Sequence, residues 1–113
     1  MILVVDDEPA IRLLCRINLE LDGYVVREAR SLDEARAELA AGPIALALLD
    51  MRIGHQRGDE LLDELAAHKI PVVIVTGSAE PDPSWRDRTV AVLGKPFQIE
   101  HLLRAVRQHA VGR

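Results

Sequence analysis

Ile2-Leu-Val-Val-Asp-Asp-Glu-Pro9 runs four apolar residues into three consecutive carboxylates and a proline. A short apolar run rich in β-branched residues and cut off by charge reads as a strand covered on both faces. Pro9 stands where a helix can begin, because its missing amide would have no partner in the first turn. The helix that follows carries Ala10, Leu14, Ile17 and Leu21 along one face and stops at Gly23. Strand, acids and helix within about twenty residues are the opening half of a parallel β-α-β unit.

The same alternation continues. Further apolar runs lie at residues 24–26, 44–49, 72–75 and 90–93. Between them Ser31-Leu-Asp-Glu34 is a capping box, in which Ser31 and Glu34 satisfy orphan amides reciprocally. It predicts a helix that buries Leu32, Ala35 and Leu39 and ends at Gly42-Pro43. A third helix is predicted over about residues 58–68 with Leu61, Leu62 and Leu65 inward. The last runs from Gln98 to about Ala110, with Ile99, Leu102, Leu103 and Val106 at helical spacing. Where a fourth helix belongs, Glu80-Pro81-Asp82-Pro83-Ser84 cannot be helix interior, since two prolines remove amide donors. At most a short helix over residues 85–88 is expected there. The predicted fold is α/β: one domain over residues 1–113, a five-stranded parallel sheet, doubly wound, with right-handed crossovers.

Composition narrows the function. Of 113 residues, 49% are hydrophobic and 28% charged, and 14 basic against 18 acidic side chains give a net charge of −4. That balance is globular and speaks against nucleic acid as a direct partner. No apolar run approaches membrane-span length, and no signal peptide is visible. Cys15 is the single cysteine, so no internal disulfide is expected; it reads as a small core residue. Tyr24, Trp85 and Phe97 are the aromatics, too few for a platform that stacks bases or a flavin. Trp85 itself reads as either a local anchor or a partner contact. His55 reads as a solvated loop residue, and His68, His101 and His109 share no metal-ligand spacing. Arg12, Arg16 and Arg27 read as a solvated basic surface.

In a doubly wound sheet, ligands sit at the carboxyl ends of the strands. Here those ends read Asp6-Asp7-Glu8, Asp50, Thr76-Gly77 and Lys95-Pro96. Like charges about 4 Å apart cost on the order of 4 kcal/mol at an effective dielectric of 20. Either carboxyl pKa values rise or a cation sits among them. Carboxylates with water suit Mg2+. Lys95 would add a point charge and Thr76 a hydroxyl, a cradle for a phosphoryl group with a carboxylate placed to attack it. Each group alone has an ordinary explanation: Asp7 before Pro9 as a helix N-cap, Thr76-Gly77 as a turn, Lys95 as a solvated side chain. Their conjunction at four of five strand ends selects the reactive reading.

These segments together resemble the receiver domain of bacterial two-component response regulators. The matching stretches are Ile2 to Pro9, Leu48-Leu-Asp-Met-Arg-Ile53 with Gly58, Pro71-Val-Val-Ile-Val-Thr-Gly77, and Gly94-Lys-Pro-Phe97. The resemblance runs from about Ile2 to Val106. It implies a flavodoxin-like strand order 2-1-3-4-5. It implies that Asp50 accepts a phosphoryl group from a histidine kinase or histidine phosphotransfer protein. It further implies that Mg2+ is held by Asp6, Asp7, Asp50 and the backbone carbonyl of Arg52. Thr76 and Lys95 would bind the phosphoryl oxygens, and Lys95-Pro96 would be cis. Arg52 and Ser78 would shape the access of hydrolytic water. The implied setting is a cytoplasmic signalling protein, not a turnover enzyme, with an unknown downstream protein partner, no membrane partner and a homodimer as a further option.

The chain also departs from that pattern. Val92 stands where the family often has Tyr or Phe, the loop Gly54-His-Gln-Arg57 lacks the usual proline, and the stretch from Thr76 to Lys95 is short. With the sequence read to residue 113, the expectation is a stand-alone receiver without an output domain, and the initial Met running into the first strand is read as a natural start, a piece of a larger hybrid kinase being the alternative. The main rival is a Mg2+-dependent phosphatase of haloacid-dehalogenase type. That class needs Asp-x-Asp after the first strand, whereas Asp6 and Asp7 are adjacent, and usually a cap domain. A second rival is a binding module that is never phosphorylated.

Overall fold

The computed structural model describes residues 1–53, 56–77 and 82–110, with the backbone alone for Gln56 and Arg57. Expectations about Gly54, His55, Ser78, Glu80 and Pro81 fall outside these residues. In chain order the elements are β1 (Ile2–Val5), α1 (Pro9–Leu21), β2 (Val26–Ala29), α2 (Leu32–Ala41) and β3 (Leu46–Asp50). A two-residue ladder of β4 (Arg52–Ile53) and β5 (Gln56–Arg57) follows, then α3 (Asp59–Ala67) and β6 (Val72–Thr76). A 3-10 helix (Pro83–Arg88), β7 (Ala91–Gly94) and α4 (Ile99–His109) complete the described chain.

The main sheet has order β2-β1-β3-β6-β7 with every neighbour parallel. Setting aside the small ladder, this is the expected 2-1-3-4-5. Successive residues of each strand point to opposite faces. Leu3, Val5, Leu49 and Ile74 therefore pack with Leu32, Ala35, Leu61, Leu62 and Leu65 from α2 and α3. Ile2, Val4, Leu48 and Val73 pack on the other face with Cys15 and Leu19 of α1 and Leu102 and Val106 of α4. Both faces are covered, which is why the central strands are apolar throughout.

Several expectations need correction. Strand two is Val26–Ala29, not residues 24–26. It is an edge strand, so its ladder with β1, from Ile2–Val26 to Val5–Ala29, admits Arg27 and Glu28. As expected, β3 and β6 end in Asp50 and Thr76, which the ladder still holds, Asp50 pairing with Val75 and Thr76 with Gly94. On α1 the stripe Leu14, Ile17 and Leu21 faces solvent with Leu13, while Cys15 and Leu19 are buried. Two apolar faces coexist on this helix, and periodicity cannot say which one the sheet takes. The N-cap of α1 is Glu8, not Asp7. Gly23, with φ +93, closes the helix in the left-handed region where other residues are strained.

Ser31 caps α2 by accepting from the Glu34 amide at 3.1 Å. The return arm lands one residue earlier than a capping box requires, since the Glu34 carboxylate accepts from the Arg30 amide at 2.9 Å. Ser31→Ala removes the first bond and should cost about 1 kcal/mol, read from the midpoint of urea denaturation. In place of a full fourth helix stands the six-residue 3-10 helix, as expected short. It starts at Pro83, two residues earlier than expected, because a proline in the first turn breaks no helical hydrogen bond. Trp85 anchors it in the core, and Arg88 pairs with Asp63 of α3.

Candidate functional site

Three parallel strands and one strand-helix turn deliver the site. β1 ends at Val5 and releases Asp6 and Asp7, while β3 carries Asp50 in its last position. β6 ends in Thr76, and Lys95 follows β7. The Lys95 amide donates to the Thr76 carbonyl at 2.7 Å, which fastens the start of the last turn to β6. The next peptide bond, Lys95-Pro96, is cis, as the resemblance implied.

Lys95 is the electrostatic centre. Its Nζ lies 3.0 Å from Asp6 Oδ2, 3.2 Å from Asp50 Oδ2 and 3.2 Å from Glu8 Oε1. The other oxygens are held by backbone amides. Asp50 Oδ1 accepts from Arg52 N at 3.0 Å, and Asp6 Oδ1 accepts from Glu8 N at 2.9 Å. Asp6, Asp50 and Thr76 are buried, whereas Asp7 and Glu8 are exposed. One carboxylate oxygen from each of Asp6, Asp7, Glu8 and Asp50 lies within 4.8 Å of the others.

Burial and the surrounding carboxylates both bear on the titrating groups of the pocket. Burial, opposed by the Arg52 amide and reinforced by the charge of Asp6, pushes the Asp50 carboxyl above its ordinary value. Burial alone would lower the Lys95 ammonium, but the hydrogen bond and charge of Asp6, followed by Asp50 and Glu8, hold it above its usual range. Cys15 responds as well: burial, then the Asp6 charge, pushes its thiol up to about 12. Iodoacetamide should therefore alkylate Cys15 in the native protein about tenfold or more slowly than in the urea-unfolded chain.

Hard oxygen donors of this kind fit a small divalent cation. Carboxylate oxygens gathered within 4.8 Å of one another could hold such an ion together with part of its hydration shell. Asp6, Asp7, Asp50, Thr76 and Lys95 thus gather at one sheet edge, and Arg52 reaches it through its amide. Glu8, expected at this edge with Asp6 and Asp7 but given no role of its own, joins the cluster from the N-cap of α1, and one participant was not expected at all. Arg12, read as solvated surface, is mostly buried and donates to the Asp6 carbonyl at 2.7 Å. Nothing in its local pattern marks it, because the contact depends on where β1 meets α1.

Comparison with known proteins agrees with this arrangement. Residues 2–107 match the family model of the response regulator receiver domain. The nitrogen assimilation regulatory protein NtrX of Azorhizobium caulinodans is 34% identical over 95% of the chain, and the match covers 28% of that protein. The chain thus spans under a third of that relative's length. The crystal structure of the NtrX receiver domain from Brucella abortus superposes with a TM-score of 0.90 at 30% identity, covering 100% of both chains. The response regulator TrrA of Thermotoga maritima, solved in complex with Mg(2+)-BeF, gives a TM-score of 0.84 at 29% identity over 95% of this chain and 96% of that one. The chain belongs to the receiver domains of two-component response regulators.

Proposed function

We propose that Asp50 is the phosphoryl acceptor of this receiver, taking the group from a phosphohistidine on a histidine kinase or phosphotransfer protein. The observation that carries the reading is the Asp50 carboxylate at the end of the central strand. It is buried, held through Oδ1 by the Arg52 amide, and faced through Oδ2 by Lys95 inside an acidic oxygen cluster. Asp50 attacks phosphorus in line; the bond from phosphorus to the imidazole nitrogen breaks, and its electron pair leaves with the donor ring. Positioning and charge supply most of the catalysis in such transfers. The Arg52 amide fixes the orientation of the nucleophile, and Lys95 brings its positive charge to the oxygens on which charge accumulates. The Thr76 hydroxyl, one residue beyond the Asp50–Val75 pair of the ladder, supplies a donor to the same group. Asp6, Asp7, Asp50 and the Arg52 carbonyl would hold Mg2+, which when bound neutralises charge between carboxylate and phosphoryl oxygens.

The new acyl phosphate adds charge where Lys95 already balances several carboxylates, and that redistribution is the signal. A protein partner is supported by the solvent-facing strip Leu13, Leu14, Ile17 and Leu21 on the helix that begins at the site. The phosphatase reading lacks support, since Asp6 and Asp7 are adjacent where that class needs Asp-x-Asp. Incubation with acetyl phosphate and Mg2+ tests the proposal by intact mass. A gain of one phosphoryl group that EDTA abolishes is expected. No gain, or steady hydrolysis of a small phosphate ester with no labelled protein, overturns it.

A further inference from the structure

We propose that Arg12 is a positioning residue for the acid pocket. Its guanidinium, braced by Glu28, clamps the Asp6 carbonyl and so sets where the Asp6 and Asp7 carboxylates stand for a divalent cation. The proposal rests on the reading of this pocket as a cation site and adds to it a residue from outside the oxygen cluster.

The geometry is specific. Arg12 lies one turn into α1, its amide donating to the Glu8 carbonyl at 3.1 Å. Its Nη1 donates to the Asp6 carbonyl oxygen at 2.7 Å, and its Nε to Glu28 Oε1 at 3.3 Å. The second Glu28 oxygen is taken by Arg16 Nη1 at 2.8 Å, so the carboxylate that braces Arg12 is itself held. The side chain of Arg12 is 15% exposed, against 44% for Arg16 and 51% for Arg27. This arginine is folded inward and is no solvated charge.

The clamped atom matters because of where it sits. Asp6 is the first residue beyond β1; its amide still bonds to the Ala29 carbonyl at 3.0 Å, but there the strand turns out of the sheet. A peptide unit is planar, so fixing the Asp6 carbonyl also fixes the Asp7 amide nitrogen and α-carbon. Asp6 is then tied at its amide, its carbonyl and, through Glu8 and Lys95, both carboxylate oxygens. Asp7, exposed and nearer solvent, inherits its placement from that shared peptide plane. The task needs a fork: Nε and Nη1 of one planar group meet two partners at a fixed angle, which a lysine ammonium cannot reproduce.

Charge and positioning make opposite predictions, which renders the proposal sharp. Removing a positive charge beside four carboxylates should strengthen cation binding if the effect were electrostatic alone. Losing the clamp should weaken it, since groups that orient metal ligands typically contribute tenfold or more to affinity. Mg2+ affinity is measured by isothermal titration calorimetry on the whole chain, with circular dichroism as a check on folding. Arg12→Gln should weaken binding about tenfold. Arg12→Lys, which keeps the charge and at most one of the two bonds, should fall between Arg12→Gln and wild type. Arg16→Gln, which loses a Glu28 contact and none to Asp6, should stay within about twofold of wild type. Tighter or unchanged binding in Arg12→Gln, or wild-type affinity in Arg12→Lys, overturns the clamp while leaving the cation site intact. A wild-type chain that binds no Mg2+ overturns the site reading and the clamp with it.

Discussion

Asp50→Asn should lose phosphoryl gain from acetyl phosphate by about 100-fold or more while melting at a higher temperature than wild type at pH 7. The first effect follows from nucleophilicity: an amide oxygen carries no charge to donate, though the isosteric side chain can still accept from the Arg52 amide. The second follows from burial. The folded protein holds the Asp50 carboxyl above its ordinary value, chiefly through desolvation and then the charge of Asp6. Below the unfolded value, near about 4, both states are protonated and the penalty is absent. As pH rises past the unfolded value the penalty develops, and it is complete once pH exceeds the raised folded value. Asn never ionises, so the stability gap between variant and wild type should widen as pH rises from 3 toward 7 and close toward pH 3. Melting curves without divalent cation across that range read the gap, and intact mass reads the label. A variant that gains the phosphoryl group as well as wild type would end the assignment of Asp50.

Lys95→Met should destabilise the cation-free protein by about 3 kcal/mol, the cost of leaving buried carboxylates without their counter-charge. The methionine fills similar volume, so packing changes little. What is lost is an ammonium touching Asp6, Asp50 and Glu8 at once, with the Asp6 side chain 4% exposed and that of Asp50 9%. Because the folded protein holds the Lys95 pKa above its unfolded value of about 10.4, its contribution is fully present at neutral pH and is lost only in strong base. Urea denaturation at pH 7 measures the loss. Added Mg2+ should recover part of it, since a cation among the same oxygens replaces the missing charge. Phosphoryl gain should also fall about 100-fold, as when one preorganised charge-stabilising group is removed from a reactive centre. A Lys95→Met protein as stable as wild type would show that the ammonium is not the counter-charge of this pocket.

The residues easiest to read were those whose environment follows from their neighbours in the chain. Ile2–Val5 and Val72–Thr76 are central strands and announce themselves as apolar runs. Gln98 to Ala110 announces α4 by spacing, and Pro81 and Pro83 announce the missing helix. The acids at 6, 7 and 50 were legible as a group because parallel topology sends all strand ends to one edge. The errors fall where two local readings are equally good. Residues 24–26 looked more like a strand than Arg27 and Glu28 did, yet an edge strand needs only one covered face, and the ladder with β1 chose the later register. Both faces of α1 carry apolar residues, and contact with the sheet and α4 selected Cys15 and Leu19 over Leu14, Ile17 and Leu21.

Local chemistry by itself therefore determined the order of strands and helices, the edge at which function gathers, and the residue types that gather there. Tertiary structure alone decided which charges touch. Lys95 meets Asp50 across 45 positions of sequence and Glu8 across 87, and Arg12 finds the Asp6 carbonyl only because α1 packs back over the end of β1. Periodicity is a short-range property of the chain. Ion-pair energies depend on separations of a few ångströms, which the side-by-side packing of the strands creates and no window of sequence contains.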